Sequence, residues 1–296
     1  MDETRTALAP GSALDGFRID RVLADGRFAV VYLAAETAGG RRAAIKEYLP
    51  VELSQRRPGT AQVSPAGNRD DFAWGLARFR DEAAFLARLD HPAVVRTPRW
   101  FEANGTAYAV MEYLEGETLA DKLMRRGTLG EAEALGLLRP LADGLRAIHR
   151  AGGLHGDVKP SHIVVRHGGE PVLIEFGTAQ NALAHRASIM FGIVAARYAP
   201  FEKYTGDGKQ GPWTDLYGLG ATLYHCVTGT SPILAPERIV ARLRGEADPL
   251  RPAQAAGAGR FSPALLRAID AALAPFPEDR PRDIDAFMAL LERGGA

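Results

Sequence analysis

A lysine inside an apolar run is the first residue whose surroundings demand chemistry. Lys46 closes the segment Arg42-Ala43-Ala44-Ile45-Lys46, and an ammonium that leaves water needs a partner. Glu82, on the amphipathic segment that follows, can supply one; a solvated edge lysine and a surface carboxylate are the plainer alternative. A second group is His155-Gly156-Asp157-Val158-Lys159-Pro160. An aspartate in such a loop can accept a proton from an attacking hydroxyl, and a lysine two residues on can neutralise phosphate charge. A turn carrying a solvated ion pair fits the same residues. A third group, Glu175-Phe176-Gly177, puts a carboxylate, a packing aromatic and a flexible residue just after an apolar strand, and also reads as a strand end with a turn glycine.

The elements that must carry these groups follow from periodicity. Phe17-Arg18-Ile19 and Ala29-Val30-Val31-Tyr32-Leu33 read as strands around the Asp25-Gly26 turn, and residues 42–46 as a third strand. Residues 49–70, rich in Pro, Gly, Ser and Gln, read as a surface loop. Phe79, Ala83, Leu86 and Leu89 mark one face of a helix over Asp71–Asp90, stopped by Pro92. Two strands are expected near 97–102 and 107–113. From residue 117 the chain turns mostly helical. Leu135, Leu138, Leu141, Leu145 and Ile148 form an apolar stripe in which Pro140 should kink the helix or cost it a hydrogen bond. Short strands at 163–165 and 172–174 precede helices near 214–228, 236–244, 262–274 and 282–293. A strand-rich piece with one helix before a helix-rich piece is an α+β arrangement of two lobes, with the seam near Leu114 to Gly116.

Bulk properties narrow the function classes. The 296 residues balance 36 Lys and Arg against 36 Asp and Glu, so net charge gives no reason to expect nucleic acid or an anionic membrane as partner. Cys226 is the only cysteine, which excludes an intrachain disulfide and fits a reducing compartment. Met1 to Gly11 lacks a secretory-signal pattern, and no apolar run approaches the ~20 residues needed to span a bilayer. A cytoplasmic protein is expected. With one cysteine and no suitably spaced histidine pair beside it, the seven histidines suggest no structural zinc site. His91 and His149 read as packing or surface residues, and His155 as a buttress of its loop.

The order and spacing of the three groups resemble the eukaryotic-like protein kinase family from about Phe17 to Leu291. The bacterial Ser/Thr branch is suggested by Ala44-Ile45-Lys46-Glu47-Tyr48-Leu49-Pro50, by Glu102-Ala103-Asn104-Gly105-Thr106-Ala107-Tyr108 and by Gly211-Pro212-Trp213-Thr214-Asp215-Leu216-Tyr217. The resemblance implies a kinase N-lobe over 17–114 after a leader at 1–16, and a C-lobe over 115–294. It implies that Lys46 pairs with Glu82 and holds the α- and β-phosphates of ATP. Met111 matches the residue gating the pocket behind adenine. Glu112 and Leu114 would offer backbone groups to the adenine edge, and Val31, Ala44 and Val164 would sandwich the ring. Asp157 matches the catalytic base and Lys159 its phosphate-binding neighbour. Glu202, in Ala199-Pro200-Phe201-Glu202, would form a buried pair with Arg280, and Asp215 would brace the catalytic loop.

The chain departs from the family at several of these positions. The three glycines of the nucleotide flap correspond to Ala24, Gly26 and Ala29, so the flap should be stiffer. The two metal-holding positions, an Asp and an Asn in the family, are Glu175 and His162. Mg²⁺ wants oxygen ligands in octahedral geometry at about 2.0–2.1 Å; glutamate adds a methylene, and imidazole nitrogen suits Mn²⁺ or softer ions better. The arginine before the catalytic aspartate is Gly156, a phosphorylated activation loop thereby losing its anchor. Ala195 replaces a threonine that touches the catalytic pair, and Arg197 replaces a glycine. Thr178 and Ser188 are hydroxyls open to modification.

These departures imply an ATP-binding pseudokinase with little metal dependence, lost or strongly reduced phosphoryl transfer and a regulatory protein partner. The retained Lys46, Glu82, Asp157 and Lys159 imply instead an active, atypical Ser/Thr kinase acting on protein hydroxyls, supported by Mn²⁺. His155-Gly156-Asp157 is also similar to the catalytic loop of aminoglycoside-type small-molecule phosphotransferases, whereas Lys159-Pro160, Ala199 to Glu202, Asp215 and Arg280 are similar to protein kinases.

Overall fold

The computed structural model describes residues 7–177, 196–205 and 208–292. Thr178, Ser188 and Ala195 lie outside the described residues. The chain divides into two compact units: one contains the residues up to Asp90 together with Val95–Leu114, the other His91–Val94 and the described chain from Glu115 onward.

The first unit is an antiparallel sheet with one helix. Its strands are β1 (Ala13–Leu14), β2 (Phe17–Asp25), β3 (Ala29–Glu36), β4 (Arg42–Tyr48), β7 (Arg99–Ala103) and β8 (Thr106–Glu112), in the spatial order β1-β2-β3-β4-β8-β7. The apolar, partly β-branched runs of β3 and β4 are buried almost throughout, as central strands covered on both faces should be. Leu8 and Leu14 of the leader join this core. The stretch expected as a surface loop contains a short hairpin, β5 (Ser54–Arg56) paired with β6 (Val63–Pro65). Its composition hid it, because only Val63 there is a bulky apolar residue, and its burial comes from Ser54 and Arg56 as well. Helix α1 (Arg69–Leu86) begins and ends earlier than its periodicity suggested. The Asn68 side chain accepts from the amides of Asp70 and Asp71 and so fixes the start, while Asp70 and Asp71 complement the helix dipole.

The second unit is mainly helical. It contains β9 (Gly116–Thr118), α2 (Leu119–Arg126), α3 (Glu131–Arg150), β10 (Ile163–Arg166), β11 (Pro171–Leu173), α4 (Pro212–Thr228), α5 (Ala235–Leu243), α6 (Ala253–Ala256), α7 (Pro263–Ala272) and α8 (Ile284–Glu292). Strands β11, β10 and β9 form a small antiparallel sheet. Helix α3 runs unbroken through Pro140. Its buried face includes Ala134 and Leu137 alongside Leu138, Leu141, Leu145 and Ile148, whereas Leu135 is only half-buried. Helix α4 is buried along most of its length, with Leu216, Tyr217, Leu219, Ala221 and Val227 at 0% exposure, as a helix packed on several sides should be.

Candidate functional site

The sheet register of the first unit sorts its candidate residues. Val31 faces Lys46 across β3–β4, Lys46 faces Ala109 across β4–β8, and Ala44 faces Met111. Side chains two apart on a strand share a face, so Val31, Ala44, Lys46 and Met111 stand together on one face of the sheet, with Ala24 opposite Val31 at the strand end. The other face carries Tyr32, Ile45, Glu47 and Tyr108. Helix α1 brings Glu82 to Lys46: Oε1 lies 3.5 Å from Nζ, and both side chains are under 10% exposed. The Phe79 ring lies 5.8 Å from the same ammonium. The plainer solvated reading of Lys46 is therefore excluded.

The hairpin tip between β2 and β3 is closed by a 3.0 Å bond from the Gly26 amide to the Ala29 carbonyl. Ala24 and Gly26 are exposed and Ala29 is buried. The tip is also tied to the chain after β4: Leu49 and Val51 donate to the carbonyls of Phe28 and Arg27, and Arg27 pairs with Glu52. Glu112 exchanges two bonds with Arg96, its amide donating to the Arg96 carbonyl and its carboxylate accepting from the Arg96 amide. Leu114 is half-buried.

On the opposite face lies a cluster that the sequence gave no reason to single out. Glu47 is fully buried, and its carboxylate accepts from Tyr32 Oη at 2.6 Å, Tyr108 Oη at 2.7 Å and Arg56 at 2.6 Å. The hairpin β5–β6 delivers Arg56, and the Leu8 amide donates to Tyr32 Oη. Burial foremost, with the neighbouring Glu47 charge, pushes both tyrosine hydroxyls far above their usual range and keeps them donors.

In the second unit, Asp157, Lys159, His162 and Glu175 form one continuous chain of contacts. Lys159 Nζ lies 2.6 Å from Asp157 Oδ2. His162 Nδ1 lies 3.3 Å from the same carboxylate, and His162 Nε2 lies 3.1 Å from Glu175 Oε2. Burial pushes the Asp157 carboxyl up, but His162, Lys159 and Lys203 together outweigh it and hold it at about 2. Glu175 has φ 54°, a left-handed backbone that a residue with a side chain adopts at a cost. Val164 is half-buried on β10, opposite Thr118 and Val172.

The loop around Asp157 is shaped from behind. Asp215, at the start of α4, accepts from the amides of His155 at 2.9 Å and Gly156 at 2.7 Å and meets His149 Nε2 at 2.8 Å. These contacts hold its carboxyl below the usual range despite burial. His155 is fully buried: Nδ1 accepts from the Asp157 amide and Nε2 donates to the Ile174 carbonyl, so the ring is neutral. Burial pushes it down to about 4, against the pull of Asp215. Its ring packs 4.6 Å from that of Phe176, and its carbonyl accepts from the Gly177 amide. Gly156 has φ +76°, which glycine takes without a Cβ clash. Lys203, 6% exposed, donates to the Gly156 carbonyl. Burial lowers its pKa, while Asp157 and Asp215 oppose that. Nothing in the sequence marked this lysine. Glu202 and Arg280 form a bidentate pair at 2.7 and 3.1 Å, with side chains at most 4% exposed. Arg197 donates to the Pro232 carbonyl.

The two metal positions carry an imidazole and a glutamate in place of the oxygen-only pair that the family resemblance implies. The imidazole offers nitrogen where the ion needs oxygen, and each ring nitrogen already meets a carboxylate oxygen. Among the described residues no group of three or more His, Cys, Asp or Glu converges as a metal-holding cluster. No helix among them is long and apolar enough to cross a membrane.

Known proteins share the sequence and fold of this chain. Residues 17–282 match the protein kinase domain family. The serine/threonine-protein kinase PknL of Mycobacterium bovis is 32% identical over 278 residues, which is 93% of this chain and 67% of that protein. The serine/threonine-protein kinase pkn2 of Myxococcus xanthus is 35% identical over 77% of this chain, though the match spans only 26% of pkn2. The solved structure of PpkA-294 in its apo form superposes with a TM-score of 0.84 at 34% identity, covering 96% of this chain and 99% of that one. Family members use ATP and a divalent metal ion to phosphorylate protein substrates. With its strand-rich first unit, helical second unit and ordered motifs, this chain belongs to the eukaryotic-like Ser/Thr protein kinase family.

Proposed function

We propose that this chain is an ATP-binding member of the Ser/Thr protein kinase family that has lost, or strongly reduced, phosphoryl transfer and acts by binding a regulatory protein partner in the cytoplasm. Its domain is read as an N-lobe over 17–114 and a C-lobe over 115–294. Lys46, positioned by Glu82, holds the α- and β-phosphates. Val31, Ala44 and Val164 pack on adenine, with Met111 behind it. Because the Glu112 amide is committed to Arg96, the group Glu112 offers to adenine is its carbonyl, next to the backbone of Leu114. Ala24, Gly26 and Ala29 form the flap.

The observation that carries this reading is the contact of His162 with both Asp157 and Glu175. Phosphoryl transfer depends on positioning and on charge stabilisation by metal ions, and a displacement of about 1 Å can cost on the order of 100-fold in rate. Here the base and the carboxylate at the metal position are engaged by an imidazole. A second reading, an active but atypical kinase supported by Mn²⁺, draws on the retained Lys46–Glu82 and Lys159–Asp157 pairs.

One sample decides between them. ATP binding is measured by thermal shift with EDTA, Mg²⁺ and Mn²⁺ in turn, and phosphate transfer is then assayed with labelled ATP. The pseudokinase reading expects a shift with ATP in all three conditions and no transfer. Transfer that disappears in both Asp157→Ala and Lys46→Ala would replace it with the second reading.

A further inference from the structure

A groove of about 980 Å³ opens on the second unit among α3, α8, the segment His91–Ala93 and the start of β11. None of the residues of the Asp157 loop lines it. Its walls are largely apolar and include Pro92, Pro140, Ala142, Pro171, Met288 and Leu291; Met288 and Leu291 are only half-buried. One end is pinned where Arg146 Nε on α3 meets Asp285 Oδ1 in the first turn of α8, 2.7 Å away. From Arg146 back to Arg139 the lining follows α3 for two turns, about 10 Å. The wall opposite α8 is fixed before anything docks. The Ala93 carbonyl accepts from the Leu173 amide at 2.8 Å. His91 accepts at Nδ1 from the Ala93 amide and meets Asp143 at Nε2, both at 3.2 Å. A Cβ on Gly144 would come within 3.3 Å of the Ala93 Cβ, so α3 packs directly against this segment. A groove so held loses little freedom on binding.

The groove also offers groups that the fold does not use. Pro140 has no N–H to give the Gly136 carbonyl one turn earlier, and Gly136 is exposed with nothing within 4 Å of where a side chain would begin. A donor from outside can therefore approach that turn. Arg146 is committed to Asp143 and Asp285. Glu170 and Glu292 line the groove and are exposed, and among the described residues neither carboxylate enters a hydrogen bond or ion pair. With Asp143 and Asp285 they make four carboxylates against the guanidinium groups of Arg139 and Arg146. An apolar floor with an acidic rim suits an apolar segment that carries positive charge.

We propose that this groove is a docking site for a short segment of a partner protein, one with apolar side chains next to a lysine or arginine. The apolar side chains fill the space between Pro140 and the Met288 and Leu291 side chains of α8, and the cation meets Glu170 and Glu292 at the rim. The inference deepens the partner half of the function proposed above and rests on it; it needs neither nucleotide nor metal.

The test selects the partner chemistry without presuming a sequence. A display library of random peptides of about twelve residues, ample to span the groove, is panned against the full chain, and the enriched peptides are synthesised and titrated by fluorescence polarisation. They should share apolar side chains beside a lysine or arginine. Glu170→Lys combined with Glu292→Lys, both at exposed positions, should keep the thermal midpoint and weaken the best binder by about tenfold or more. Reversing Glu237 and Glu246 instead, which are exposed and do not line the groove, should leave the affinity unchanged. An empty selection, a selection enriched in acidic peptides, or a best binder that the groove reversals weaken by less than about twofold would overturn the docking site. Equal weakening by the two pairs of reversals would overturn it too, since general charge attraction would then explain the binding. Phosphate transfer in the labelled-ATP assay would remove the pseudokinase reading without touching this result, and a failed selection would remove the groove while the ATP assays still decide the function.

Discussion

Replacing Arg56 with methionine isolates the energetics of the cluster on the far face of the first unit's sheet. Methionine keeps most of the apolar volume and removes the charge. Glu47 then remains at 0% exposure with two of its three donors, the hydroxyls of Tyr32 and Tyr108. Breaking a buried pair by removing one partner costs about 3–5 kcal/mol, because the remaining charge is left uncompensated. The two tyrosines moderate this, since a hydrogen bond to a charged group is worth roughly 1.5–3 kcal/mol. The expected loss is therefore near the lower limit, about 3 kcal/mol. The assay is urea unfolding at neutral pH, followed by both far-UV circular dichroism and tryptophan fluorescence. The midpoint should fall while the dependence on denaturant stays unchanged. Tyr32→Phe and Tyr108→Phe should each cost roughly 1.5–3 kcal/mol. A loss under about 1 kcal/mol for Arg56→Met, the size of an exposed ion pair, would show that Glu47 reaches water and would refute the cluster as a buried lock.

Two further outcomes follow from the second unit. His155 stays neutral in the folded chain down to about pH 4, but in the unfolded chain it protonates near its ordinary value of about 6.5. The unfolded state binds more protons in that window, so stability is full above pH 6.5 and falls as the pH drops toward 4, by about 3 kcal/mol in all. His155→Gln should flatten the profile between those limits in pH-resolved thermal unfolding, and an unchanged slope would contradict the assignment. Gly218 on α4 has no room for a methyl group: a Cβ there would sit 2.7 Å from the Val158 carbonyl oxygen and 2.9 Å from Val158 Cβ. Gly218→Ala should cost roughly 1–3 kcal/mol, and hydrogen exchange should rise at the amides of residues 155–158; wild-type exchange there would show that the close approach is not needed.

The residues that carry family chemistry were legible because that chemistry tolerates few alternatives. Lys46 stood out as a charge in an apolar strand, and Asp157, Lys159 and Glu175 stood out by spacing. The α+β division and the long α3 followed from a change of period. The contacts that make this chain individual were not legible. Glu47, Tyr32, Tyr108 and Arg56 converge from four segments, and no local pattern reports a long-range polar cluster. The hairpin β5–β6 was hidden by a polar composition because its burial comes from an arginine and a serine rather than from an apolar face. Lys203 and His149 were invisible for the same reason, since each looks like a surface residue until a buried acceptor is placed beside it. The family resemblance implies a metal ligand at His162, and no local pattern reports that its ring meets two carboxylates.

The hidden supports of the Asp157 loop have a consequence for recognition. Asp215, His155 and Lys203 fix its backbone with bonds drawn entirely from the second unit. A surface already frozen surrenders little freedom when something docks on it, and that saving appears directly as affinity. Such a loop is suited to presenting one constant shape to whatever visits it, whether or not a bond is ever made or broken there.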